Sequence, residues 1–326
     1  MIRRRMLLAG AAATPVLARA VPTLSQIGYP SHTVSLVVPF PPGGANDILA
    51  RVLSQRLGAV LGQPVVIDNR GGAGGSIGSE MVVRAAPDGH TLLWGHIGTM
   101  AVNPWLYPKL NYDTLRDLAP VALVALLPSV LVVHPSVPAK TLAEFVALAK
   151  AQPGVINYGS SGNGSATHIS MAAVADAAQI ELTHVPYRGT APMATDLLGG
   201  RVQASCTGTP GVLGAIQSGQ LRALAVTSLE RVGVLPQVPT MAESGYPGFE
   251  CVQWHGVVAP AATPPAVVMK LNHDINAILA DPAMVEQLAG QGAVPAARTP
   301  DAFRDLIVAE RQRWGVLVKR TGISAE

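Results

Sequence analysis

The stretch Val34-Ser35-Leu36-Val37-Val38-Pro39-Phe40-Pro41-Pro42-Gly43-Gly44-Ala45-Asn46-Asp47 decides the fold. Its first five residues are mostly β-branched and predict a strand; the prolines and glycines that follow predict a turn. Ile48, Leu49, Val52, Leu53, Leu57 and Val60 then recur at three- and four-residue spacing, the apolar stripe of a helix. A strand that turns through glycine into a helix start builds an anion site. The first-turn N–H groups lack intrahelical partners, the helix dipole is positive there, and glycine lets a ligand approach the backbone. The competing reading is a plain strand-to-helix connection with Asn46 or Asp47 as the cap.

Upstream, Met1 to Ala20 has the parts of an export leader. Arg3-Arg4-Arg5 form a basic head, Met6 to Leu17 an apolar stretch too short to span a bilayer, and Ala18-Arg19-Ala20 a cleavage signal. We expect residues 1–20 to be removed on export, with cleavage falling anywhere from there to about 28. The leader changes the charge argument. The chain has 23 Lys+Arg against 20 Asp+Glu, but residues 1–20 hold four arginines and no acid, leaving 19 against 20. The excess basicity belongs to the discarded piece, so nucleic acid is not an expected partner.

The 306 residues left of 326 suffice for two ordinary domains. With 49% hydrophobic and 4% aromatic residues, the core is aliphatic. The most apolar run, Leu118 to Val133, holds Pro120 and Pro128 and reads as two buried strands around a turn. Cys206 and Cys251, in an exported protein, make either one disulfide or two buried thiols.

Strands and helices alternate along the chain. Pro64 to Asp68 predicts a strand entering the glycine loop Gly71 to Gly78 and a helix to about Ala86; Thr91 to Gly95 predicts another strand. Thr141-Leu142-Ala143-Glu144 is a capping box, and Thr263-Pro264 and Thr299-Pro300 each pair a hydroxyl cap with a first-turn proline. This alternation argues for an α/β fold with mainly parallel sheets. The strand–glycine–helix device recurs at Gly159-Ser160-Ser161-Gly162-Asn163-Gly164-Ser165, with Thr167 and His168 beyond it. Ligands of open α/β sheets bind beyond the carboxyl ends of the strands. Two such ends facing across a cleft, one lined with hydroxyls, suit a carboxylate.

Enzyme patterns are missing from the sequence. Gly72 to Gly78 has its third glycine displaced from the dinucleotide spacing, and no phosphate loop occurs. No nucleophile elbow passes through Ser160 or Ser161, and the histidines and cysteines show no metal-ligand spacing. We therefore expect no catalytic residues, no cofactor and no metal.

Taken together, the motifs resemble the periplasmic solute-binding receptors of tripartite tricarboxylate transporters, the Bug-type receptors. Carrying the resemblance are Val38 to Asp47, Asp68 to Gly75, Pro87 to Leu93, Tyr158 to Ser165, His184-Val185-Pro186-Tyr187-Arg188-Gly189, Leu235 to Gly245 and Trp254-His255-Gly256-Val257. The resemblance implies a type II periplasmic-binding-protein fold, two α/β lobes with a hinge and an interlobe cleft. Residues 30–130 plus 252–326 would form the first lobe and 131–251 the second, with crossing strands near Pro128 to His134 and Glu250 to Val257. It implies a ligand site of Phe40, Pro41, Gly43, Gly44 and Asp47 from the first lobe, and Ser160, Ser161, Gly162, Ser165 and Thr167 from the second. Arg188 is a candidate bidentate partner for a second carboxylate or, equally, half of a surface ion pair. His96 and His168 border the cleft loops and are expected to be structural; Trp254 is expected at the hinge. The implied partners are a small carboxylate and the membrane permease subunits of such a transporter, or alternatively a sensor kinase, with the receptor itself a monomer. Gln203 stands where the family usually has an acid, which argues against an amino-acid ligand.

Overall fold

The computed structural model describes residues 28–324, so the leader expected at residues 1–20 lies outside the described residues. In chain order the elements are β1 (Val34–Val38), α1 (Ala45–Leu61), β2 (Val65–Asn69), α2 (Ser76–Val83), β3 (Thr91–His96), α3 (Asn103–Leu106) and β4 (Leu118–Val133). Then follow α4 (Leu142–Ala151), β5 (Asn157–Ser160), α5 (Ala166–Ala178), β6 (Thr183–Pro186), α6 (Thr190–Leu198), β7 (Ala204–Gly208), α7 (Leu213–Gln217) and β8 (Arg222–Val226). The chain ends with β9 (Val252–Pro260), α8 (Pro265–Ala280), α9 (Pro282–Ala289), β10 (Val294–Pro295) and α10 (Pro300–Thr321).

The strands form two lobes joined through one path, in the order β2-β1-β3-β9-β4-β7-β5-β6. Within each lobe the ladders are parallel, β1 with β2 and β3, and β5 with β6 and β7. The ladders of β4 and β9 are antiparallel, so the sheet is mixed rather than mainly parallel. These two strands run between the lobes in opposite directions.

β4 corrects the expectation of two strands around a turn: it is a single strand of 16 residues. Leu118 to Pro128 pair with β9, and Ser129 to Val133 with β7. A proline cannot donate to a ladder, which is why the sequence suggested a break. Pro120 sits at a register shift, and Pro128 is the last residue paired with β9 before the strand changes partners, so neither interrupts it.

Helix ends follow local chemistry. Thr141 caps α4 by accepting the Glu144 N–H at 3.2 Å, and Thr299 caps α10 by accepting the Ala302 N–H at 3.2 Å. α8 starts one residue later than expected, behind Pro264, and Thr263 makes no cap. α2 ends at Val83, short of Ala86. The apolar stripe of α1 buries Leu49, Leu53, Leu57 and Leu61 against β1, β3 and α8. Full burial of each such side chain contributes about 1.5–3 kcal/mol. The second lobe has its own cores, one around Phe145, Met171 and Val174, another around Val132, Met193 and Leu197. Cys206 and Cys251 are free and buried; the Cys251 Sγ lies 3.6 Å from Ser170 Oγ, which meets Ser129 Oγ at 3.0 Å. No helix among the described residues is long and apolar enough to cross a membrane.

Candidate functional site

A cavity of about 810 Å³ lies where the two glycine loops meet. The first lobe contributes Phe40, Pro41 and Pro42, the loop Gly71 to Gly75, Asn69 and Tyr107; the second contributes Ser161 to Asn163 and Pro186 to Gly189. Of the residues expected from the sequence, Phe40, Pro41, Ser161, Gly162 and Arg188 therefore line one space. Gly43, Gly44, Asp47, Ser160, Ser165 and Thr167 lie beside or behind it.

The first loop is fixed from behind by Asp47, which is buried. Gly44 is the N-cap of α1 and offers no side chain, so neither Asn46 nor Asp47 occupies the cap position. Asp47 stands in the first turn and reaches back, its Oδ2 accepting the Gly43 N–H at 3.1 Å. The same carboxylate accepts from Arg51 Nε at 3.0 Å and from Asn69 Nδ2 at 3.1 Å. Burial pushes its pKa up, but the bonds from Arg51, Gly43 and Asn69 together outweigh burial and hold it below the usual carboxylate range. Asn69 Nδ2 also donates to the Phe40 carbonyl at 3.0 Å. Asp47 thus acts as an internal tie between the loop, α1 and β2.

The second loop is tied in the same way by its own hydroxyls. Thr167 Oγ1 accepts the Ser161 N–H at 2.7 Å and meets Ser161 Oγ at 3.0 Å and Ser165 Oγ at 2.9 Å. Ser165 caps α5 by accepting the His168 N–H. Ser160 Oγ bonds His184 Nε2 at 2.6 Å, and His168 Nδ1 accepts the Gly164 N–H at 3.1 Å. The two imidazoles stack at 4.0 Å, and burial lowers their pKa values to about 3 for His168 and about 4 for His184. In the first lobe His96 is likewise buried and stacked on Phe40 at 4.7 Å, with its pKa lowered to about 4. Histidines of both lobes therefore brace cavity walls from behind. Trp254 is buried edge-on to Phe303.

The loop Gly72 to Gly75 holds four successive positive φ angles, including 47° at the non-glycine Ala73. Such a backbone is strained at alanine. Tyr107, Pro186, Tyr187 and Gly189 were not singled out by the sequence. A signal existed for Pro186, Tyr187 and Gly189 in the His184 to Gly189 motif; Tyr107 lies in an irregular segment without periodicity. Gln203, in contrast, is absent from the lining: its amide accepts the Asn157 N–H and donates to the Gly200 carbonyl. Its presence therefore gives no grounds for excluding an amino-acid ligand.

The lobes touch on both sides of the cavity. A Cβ at Gly44 would lie 2.8 Å from Thr190 Oγ1, and one at Gly189 3.1 Å from the Pro41 ring. Tyr107 donates its hydroxyl to the Asn163 carbonyl at 3.1 Å. This is a closed arrangement, with the N-termini of α1 and α6 brought together.

Three comparisons locate the chain among known proteins. A family model described as the tripartite tricarboxylate transporter family receptor matches residues 49–323. Protein BugT of Bordetella pertussis is 43% identical over 295 residues, which are 90% of this chain and 90% of BugT. Among solved structures, R. palustris Rpa4515 with adipate superposes with a TM-score of 0.88 at 37% identity, covering 91% of this chain and 99% of that one. MatC from Rhodopseudomonas palustris with bound malate gives 0.84 at 35%, covering 89% and 100%.

Proposed function

The chain belongs to the tripartite tricarboxylate transporter receptor family, and from that premise we propose that it is an extracytoplasmic receptor that captures a small organic carboxylate between its lobes. It delivers the closed, loaded form to the membrane permease subunits of a transporter of that type, as an exported monomer in the periplasm. The observation that carries the reading is the cavity walled by both lobes at two helix-start loops. Solved structures of relatives with adipate and with bound malate support a carboxylate as cargo. The lobes correspond to residues 30–130 plus 252–326 and to 131–251. Separate apolar cores and the change of partner along β4 support that division.

Binding works by differential affinity. A ligand that touches both lobes does so only when they are closed, so it shifts the population toward that form. One helix-end charge interaction contributes about 0.3–2 kcal/mol, whereas micromolar affinity needs about 8 kcal/mol. Several donors from both loops must therefore act together. The site performs no chemistry on its ligand.

The test is a thermal-shift screen of leader-free protein, verified free of co-purified ligand, against mono-, di- and tricarboxylates and amino acids. A ligand that binds the folded state raises the melting temperature. A selective shift by carboxylates, recovered unchanged, is the expected result; no shift across the panel would overturn the reading.

A further inference from the structure

We propose that the cargo is an aromatic dicarboxylate without an ammonium group, its ring held between aromatic walls and one carboxylate paired with Arg188. The inference rests on the receptor reading above and narrows it to a ligand class. Three of the lining residues are aromatic, and the hydroxyls of two are already donated within the protein. Tyr107 donates to the Asn163 carbonyl, and Tyr187 donates to Asp196 Oδ2 at 2.8 Å. With Phe40 they line the cavity. Pro41 and Pro186 add apolar wall from the two lobes.

The lining's charge is one-sided. Among the described residues no Asp or Glu lines the cavity, and Arg188 is the only charged residue there. Asp47, just behind the wall, already accepts from Arg51, Asn69 and the Gly43 N–H. Asp196 is taken by Tyr187 and by Arg201 at 2.8 Å. A ligand ammonium would meet a guanidinium and no lining carboxylate, an unfavourable pairing of like charges. Among the lining polar side chains, Asn69 is engaged with Phe40 and Asp47, and Ser161 with Thr167. Arg188, one residue before the N-cap of α6, has no ion pair among the described residues and offers the planar fork that matches a carboxylate. The backbone of Gly71 to Gly75 and the first loop line the same space. A cavity of about 810 Å³ has room for a ring bearing two carboxylates and falls in the usual range for small-molecule sites.

Three ligands on one benzene ring separate these elements: 4-carboxyphenylacetate, phenylacetate without the second carboxylate, and 4-carboxyphenylglycine with an added amine. Titration calorimetry on leader-free protein should rank the first at least about tenfold tighter than each of the others, the difference expected from one charge-assisted bidentate pair. Arg188→Gln, an exposed position, should keep the wild-type melting temperature and collapse the preference for 4-carboxyphenylacetate over phenylacetate. Equal affinity for the amine-bearing ligand, an unchanged preference in Arg188→Gln, or tighter binding of malate or glutamate than of the aromatic diacid would overturn the inference while leaving a carboxylate receptor in place. Silence toward every carboxylate would instead remove the receptor reading itself.

Discussion

Asp47 shows how far a single residue can be read from sequence. A carboxylate in the first turn beside a glycine loop is compatible with a cap, a water-ordering group or a tie, and sequence spacing exposes only its Arg51 partner one helical turn on. Asn69, which completes the tie, is brought in by the β1–β2 ladder and is invisible to local reading. Phe40, Pro41, Ser161, Gly162 and Arg188 line the cavity, while Ser165 and Thr167 hold its loop from behind. A hydroxyl near a helix start is equally suited to a ligand and to its own backbone, and here the backbone and neighbouring hydroxyls take it. Asp47→Ala should destabilise the fold by about 1–3 kcal/mol, because buried donors lose their acceptor. Chemical denaturation with an unchanged m-value would register that loss, and a change under about 0.5 kcal/mol would remove the tie. The two cysteines make a second residue-level prediction. Burial raises both thiols, Cys251 to about 11, so an aromatic disulfide reagent should modify them only as fast as the protein unfolds. Rapid reaction of either thiol in native buffer would contradict their burial.

At the level of elements, β1, α1, β2 and β3 were legible because each combines a clear period with a clear punctuation. β4 was not, since two prolines in an apolar run signal a break unless the position of each in the ladder is known. The second glycine loop was legible as a strand-to-helix turn, but its bracing by His168 and His184 depends on β5 and β6 pairing in register, Tyr158 beside His184. That bracing predicts a pH dependence. Both imidazoles are neutral in the fold, with pKa values lowered from 6.5 to about 3 and about 4, while the unfolded chain protonates them near 6.5. Between those values the unfolded state binds more protons, so stability is fully present above pH 6.5 and falls as the pH drops toward 4. Denaturant midpoints recorded from pH 7.5 to 4.5 should decline through this window, and the decline should be shallower in His184→Gln. Flat midpoints would mean that the histidines are solvated. Ser165→Ala removes the α5 cap, with a cost of about 1 kcal/mol, so a weaker ligand affinity in that variant must be compared with its stability before it is assigned to ligand contact.

On the scale of the whole molecule, the two-lobed architecture followed from motifs spread over the chain, whereas the closed contact between lobes depended on distances no spacing encodes. Gly44 and Thr190 are an instance. Nothing local pairs them, yet the N-cap of α1 meets the first residue of α6 across the cleft, with room for hydrogen and none for a methyl group. Gly44 has φ −96° and ψ 173°, a conformation open to alanine, so the substitution is tolerated by the loop and resisted only by the facing lobe. The most direct test is titration calorimetry of wild-type and Gly44→Ala protein with the carboxylate that gives the strongest thermal shift. Capture between lobes predicts one ligand per wild-type chain. It also predicts a melting temperature within a few degrees for the ligand-free variant and an affinity weakened about tenfold, as expected if overpacking costs about 1–3 kcal/mol. Equal affinity in the two proteins would contradict closure across this contact, and no saturable binding by the wild type would contradict capture itself.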